Sequence, residues 1–254
     1  LDGPIEFVES PATGSHLDTI AAAGAMWKQE AGAVVALGGD GTCRDVAAGW
    51  PDAPLIPIST GTNNVFPAAL DGTTAGVAAA LVATAAVDAD AVTRRAKRIS
   101  VRIDDPNRPT VAHDIALVEA ALVATPFVGA KAVSDPAPIR WVIAAIADPV
   151  ATGLASIAGR VHPVGRNEPG GVLIRLGAGG RTVRVPLAPG SFARVEIESV
   201  EALAPSQPVV LHGGGVLAYD GERTTPASAD STITASIEAS GPRVIDVPAA
   251  LALA

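Results

Sequence analysis

The sequence predicts two units in one chain, an α/β unit followed by a β-rich one. Before residue 95, short β-rich runs alternate with alanine-rich stretches, the pattern of a parallel sheet flanked by helices. After residue 97, apolar and polar residues alternate with period two in one run after another, the pattern of half-buried antiparallel strands in a sandwich. The expected division is therefore 1–95 and 96–254, joined near "TRRAKR" (93–98).

Within the first unit, "IEFVES" (5–10) reads as a strand and 15–30 as a helix, with Ser15 and Asp18 suited to its positive N-terminal end. "AVVAL" (33–37) is then a strand, 43–50 a helix, "PLIPI" (54–58) a strand and 73–87 a helix. In the second unit, strands are expected at 98–103, 171–176, 181–187, 193–200, 208–212, 215–220 and 232–239. Two helices, around 138–147 and 153–159, interrupt them.

Composition limits the partners. Hydrophobic residues form 48% of the chain, enough for real cores, and with aromatics at 3% those cores must be built from Ala, Val, Leu and Ile. Trp27, Trp50 and Trp141 are expected as packing anchors. A net charge of −8 repels nucleic acid and anionic membrane, so neither is a natural partner. The longest uncharged apolar stretch, 75–87, is too short to span a bilayer. Cys43 is the sole cysteine, so no internal disulfide or cysteine-based zinc site is expected, and a reducing cytoplasm fits. Opening on Leu1-Asp2 rather than Met, the chain reads as a fragment.

Two stretches carry chemistry. In "ALGGDGTCRD" (36–45) an apolar run leads straight into Gly38, Gly39, Asp40, Gly41 and Thr42. A glycine turn between strand and helix lets backbone N–H groups and the helix N-terminus approach an anion, and Thr42 adds a hydroxyl. Asp40 is repelled by phosphate unless it holds a metal ion or takes a proton from an attacking hydroxyl. The alternative is a plain β–α turn capped by Asp40. The second stretch, "STGTNNVFP" (59–67), follows the next strand, and places Thr60, Gly61, Thr62, Asn63 and Asn64 in the adjacent loop. Neighbouring loops at the carboxyl ends of parallel strands form the ligand crevice of α/β folds. An Asn-rich turn is the plainer alternative there.

"GGDGT" followed by "GTNN" and a Phe-Pro resembles the NAD kinase/diacylglycerol kinase superfamily, and within it the ATP-NAD kinase-like group of acetoin-catabolism protein X. "FVGAKAVSDP" (127–136), "TGLASIAG" (152–159) and "LAYDGER" (217–223) extend the resemblance over most of the chain. It implies a Rossmann-like first domain, a β-rich second one, and ATP with Mg²⁺ in the cleft between them. By that likeness Asp40 activates the acceptor hydroxyl or holds the metal, while Gly38, Gly39, Gly41, Thr42 and Thr60 to Asn64 bind the nucleotide. Glu119, Thr152, Gly153 and Asp220 fall at substrate-binding positions, and Glu222 of Asp220-Gly221-Glu222 at a second catalytic carboxylate. In the lone DG a β-turn is the simpler reading. NAD kinases carry an Asn-Glu pair where this chain has Val118-Glu119, so the amide is lost. Such proteins also carry a further N-terminal stretch of sheet, and assemble as homo-oligomers through the β-rich domain.

The function expected is ATP-dependent phosphate transfer to a hydroxyl of NAD or a related metabolite. Two alternatives remain, a non-catalytic nucleotide-binding accessory protein of acetoin metabolism and a lipid-kinase-like enzyme.

Overall fold

In the computed structural model, residues 5–125, 135–221 and 223–254 are described. The first unit opens with α1 (His16–Lys28), where the Ser15 hydroxyl accepts the Leu17 N–H and Asp18 accepts from Thr13 and Gly14. It continues with β1 (Val34–Gly38), α2 (Asp40–Gly49), β2 (Pro54–Ser59), α3 (Gly72–Ala83), α4 (Ala89–Val92) and β3 (Thr93–Arg95). β1 and β2 are parallel, as the alternation predicts.

Residues 5–10 are not a strand. Ile5 and Phe7 lie exposed, so the alternation there has no apolar surface to cover and no neighbouring strand to pair with. The first sheet is completed instead from the far end of the chain. β14 (Arg243–Ile245) lies parallel to β2 and antiparallel to β3, giving the order β1-β2-β14-β3, and α6 (Val247–Ala252) packs on α3. Thus the crossing near residue 95 is not the only one: 243–252 return to the first unit. Ile245 and Val247 join Ile56, Ile58, Ala75 and Ala78 in one core, which is what draws them back.

The second unit comprises β4 (Arg98–Asp104), β5 (Ala112–Ala116), β6 (Glu119–Val123), β7 (Ile139–Ala144), α5 (Ala155–Val161), β8 (Gly171–Ala188), β9 (Ser191–Leu203), β10 (Val209–His212), β11 (Gly215–Tyr219), β12 (Arg223–Ala227) and β13 (Thr232–Glu238). Two antiparallel sheets, β10-β13-β4-β5 and β12-β11-β6-β7-β8-β9, face each other across a core that joins Ile99, Val101 and Ile233 to Leu122, Ile143 and Leu217. α5 covers the outer face of the larger sheet. The fold is an α/β domain joined to a β-sandwich.

Three local expectations need correction. The run at 138–147 is strand β7, not helix: a short, continuously apolar run has no period that separates the two, and pairing to β6 and β8 on both sides decides it. The runs 171–176 and 181–187 are one strand, whose pairing with β9 shifts register between Leu176 and Arg181. Of the tryptophans, Trp50 and Trp141 are buried anchors, but Trp27 is 56% exposed. Among the described residues no helix is long and apolar enough to cross a membrane.

Candidate functional site

α2 begins at Asp40, not at residue 43, so Asp40, Gly41 and Thr42 form its first turn and Gly39 is its N-cap. β1 and β2 end side by side, with Gly38 paired to Ser59, and the Thr60 N–H donates to the Gly38 carbonyl at 3.3 Å. The two glycine-bearing loops are thereby fused. Asn64 donates to the Ser59 hydroxyl at 2.8 Å and lies across Gly39, where an added Cβ would stand 2.8 Å from its Oδ1. At Gly38 a Cβ would overlap the Thr42 side chain. The chain's own Thr42 and Asn64 therefore occupy the space those two glycines leave. Gly38→Ala is expected to destabilise by about 1–3 kcal/mol, as overpacking does, measured by urea unfolding. Thr60, Gly61, Thr62 and Asn63 are exposed, with Asn63 in the left-handed region at φ 75°.

Asp40 is buried beside these loops. Its Oδ1 accepts from the Val65 N–H at 3.0 Å and the Phe66 N–H at 2.7 Å. The carbonyls of the same two residues accept from Arg166, at 2.9 Å for Val65 and 3.1 Å for Phe66. Arg166 comes from the second unit, in a loop fastened by Lys97, whose Nζ donates to the Gly165 and Gly170 carbonyls at 3.0 and 3.1 Å. Burial lowers the Lys97 ammonium to about 8, against the opposing pull of Glu168. The Val65-Phe66 peptide is thus held from both units at once, by Asp40 on one side and Arg166 on the other.

Behind Asp40 lies a buried charged cluster. Arg44, 2% exposed, donates to Asp45 at 2.9 Å and to the Tyr219 carbonyl at 3.0 Å. Asp220 accepts from the backbone N–H groups of Leu117, Val118 and Glu119. Burial, first of all, raises the Asp220 carboxyl to about 7, with Arg44 pulling it down and Asp40 pushing it up. Burial also pushes the Glu119 carboxyl well up, reinforced by Asp220 and Asp40. Burial raises the Cys43 thiol too, so it is no nucleophile at neutral pH. In the range from about pH 4 to pH 7 the folded chain keeps an Asp220 proton that the unfolded chain has released. Stability therefore falls as pH rises through that window. The thermal midpoint is expected to be higher near about pH 5 than near about pH 7.5, with a smaller difference in Asp220→Asn.

The structure brings Asp40, Glu119 and Asp220 within electrostatic reach of one another, at the junction of the two units. Thr152 and Gly153 lie in the turn before α5, where the Gly153 N–H donates to the Pro186 carbonyl at 2.9 Å, and Ala151 and Ala155 on either side join the core that contains Val65, Phe66 and Leu117. Glu222 and most of 127–136 lie outside the described residues. Among the described residues no three His, Cys, Asp or Glu side chains group as metal ligands. Sequence reasoning missed Arg44, Asp45, Lys97 and Arg166. Arg44 left one trace, an Arg-Asp pair one helical turn after Asp40, followed by small apolar residues to the end of the helix. Arg166 left none.

A mostly parallel sheet joined to an antiparallel sandwich, with an acid-bearing glycine loop at the end of its first strand, is the arrangement of the NAD kinase fold. The chain superimposes on the crystal structure of yeast NADH kinase complexed with NADH with a TM-score of 0.55 at 14% identity, covering 84% of this chain and 61% of that one. Residues 3–86 match the ATP-NAD kinase N-terminal domain, and 97–240 the acetoin catabolism protein X C-terminal domain. Acetoin catabolism protein X of Cupriavidus necator is 35% identical over 251 residues, 97% of this chain and 70% of that protein. The chain belongs to the acetoin catabolism protein X family.

Proposed function

We propose that the chain is an ATP-dependent phosphotransferase that phosphorylates a hydroxyl of NAD or a related small metabolite. The observation that carries this reading is the placement of Asp40. It stands at the first turn of α2, beside the exposed Thr60–Asn63 loop and within electrostatic reach of the buried acids Glu119 and Asp220. The helix end and the loop amides and hydroxyls suit phosphate oxygens, and Asp40 suits the acceptor proton. Phosphate transfer asks little more of a protein than such positioning and charge stabilisation. Mg²⁺ needs few protein ligands when it arrives on nucleotide phosphates, which fits the lack of a three-ligand centre among the described residues. In the same reading the ligands are small nucleotides, nucleic acid and membrane are not partners, the protein works in the cytoplasm, and it forms a homo-oligomer.

A second reading, a nucleotide-binding accessory protein, is favoured by one observation. Asp40 already fastens Val65 and Phe66, which gives the acid a structural reason to be there. An acceptor panel with ATP and Mg²⁺ separates the two. A phosphorylated NAD is the expected product. A different phosphorylated acceptor would keep the kinase and move its specificity, consistent with Val118 in place of the amide. A lipid acceptor would move it to the lipid-kinase branch. ATP binding with no phosphorylated product from any acceptor would leave the accessory role.

A further inference from the structure

Two sequence features lie apart from the Asp40 site: Arg98, at the end of the basic run 94–98, and the His113-Asp114 pair. The fold brings them together. β4 sends Ile99, Val101 and Ile103 into the sandwich, so Arg98, Ser100 and Arg102 face the opposite way. In register beside them, Ser236 stands opposite Ser100 and Thr234 opposite Arg102 on β13, and His113 stands opposite Arg102 on β5. Over this polar floor lie Ile20 of α1, Ala47 and Ala48 of α2, and Pro51. The short alanine side chains do not reach down to the sheet, and a cavity of about 570 Å³ remains between the layers. That volume lies within the range of small-molecule sites, about 300–1,000 Å³.

The floor has more donors than acceptors. Among the described residues Arg98 Nε is buried with no hydrogen-bond partner, and its guanidinium pairs with Glu238 at 3.8 Å. Arg102 commits one bond, to Asp104 at 3.1 Å, out of the five N–H groups an arginine carries. Ser100 and Thr234 add hydroxyls. Asp104 and Glu238 end their strands at the margins, while Asp114 lines the cavity with its carboxylate accepting from the Ile115 N–H and the Thr225 hydroxyl. The Arg98 side chain is 22% exposed, so its terminal N–H groups, rather than the enclosed Nε, can meet an oxygen-rich ligand.

We infer that this cavity binds a small organic oxyanion, a carboxylate or a phosphate ester. Its oxygens take N–H groups of Arg98 and Arg102 and the Ser100 hydroxyl, and its carbon skeleton lies under Ile20, Ala47 and Ala48. The site is separate from the glycine loops: it adjoins the C-terminal turn of α2, whereas Asp40 is that helix's first residue, about 12 Å away along the axis. It stands whether or not the chain transfers phosphate.

Calorimetric titration of the whole chain with inorganic phosphate and with butyrate, at low ionic strength, tests this and tells the two sources apart. Saturable binding of at least one probe is expected. It should weaken at least tenfold in Arg98→Gln and disappear in Ala48→Leu, which fills the cavity from an exposed position and removes no charge. No saturable binding of either probe overturns the inference. So does binding that survives Ala48→Leu, which would place the anion elsewhere, the Asp40 loops included. Ala48→Leu decides the matter even if Arg98→Gln fails to fold.

Discussion

Asp40→Asn is expected to lower the rate of phosphate transfer by about 10²–10⁴-fold, the range a positioned general base contributes. The asparagine carbonyl still accepts from Phe66 but carries no charge and cannot take the acceptor's proton. The effect should fall on kcat, with KM for ATP little changed, because the amides and hydroxyls of 59–64 remain. Stability should drop only modestly, by about 1–2 kcal/mol, as charge-assisted bonds to Val65 and Phe66 become neutral ones. Steady-state kinetics beside urea unfolding of the same variant separates the two. A kcat loss matched by an equal loss of folded protein would reduce Asp40 to a structural fastener.

Arg44→Ala should be the most destabilising change at this site, costing about 3–5 kcal/mol, the usual consequence of stripping a buried charge of its partner. Arg44 is the buried cation that Asp45 pairs with, and it draws down the carboxyls of Glu119 and Asp220. Without it those acids must hold their protons more tightly, and the Tyr219 carbonyl loses its donor. The deficit should shrink toward about pH 5, where the acids protonate anyway. Urea unfolding at two pH values measures this. A loss below about 1 kcal/mol would mean that water reaches the cluster and screens it. Arg44→Lys should rescue only in part, since a lysine cannot reproduce the forked contact to Asp45 and the Tyr219 carbonyl.

Much of the fold is legible in the sequence because it rests on periodicity. The β1-α2-β2-α3 order and the two-sheet sandwich both follow from patterns local to each run. Legibility ends where pairing partners decide. Residues 5–10 alternate like a strand and find no neighbour, whereas 139–144 could be helix or strand until β6 and β8 enclose it. The return of β14 to the first sheet rests on only three residues, too few to carry a pattern.

At the site, Asp40 and both glycine loops were visible from their spacing, because glycines and an acid at strand ends are unusual. Glu119 and Asp220 came only through family resemblance. Lys97 was marked only as part of the basic run 94–98 and Arg166 not at all, since their contacts span 68 to 101 residues of chain. Gly38 and Gly39 also have a packing reason to be glycine. They make room for Thr42 and Asn64 and so fuse the two loops.

The most direct test of a phosphotransferase centred on Asp40 is to follow the labelled terminal phosphate of ATP, with Mg²⁺ and NAD present, on the native chain and on Asp40→Asn in parallel. Label appearing in a phosphorylated dinucleotide with the native chain, and all but absent with the variant, is the predicted result. Label that stays in ATP while the native chain binds it tightly would contradict catalysis at this site.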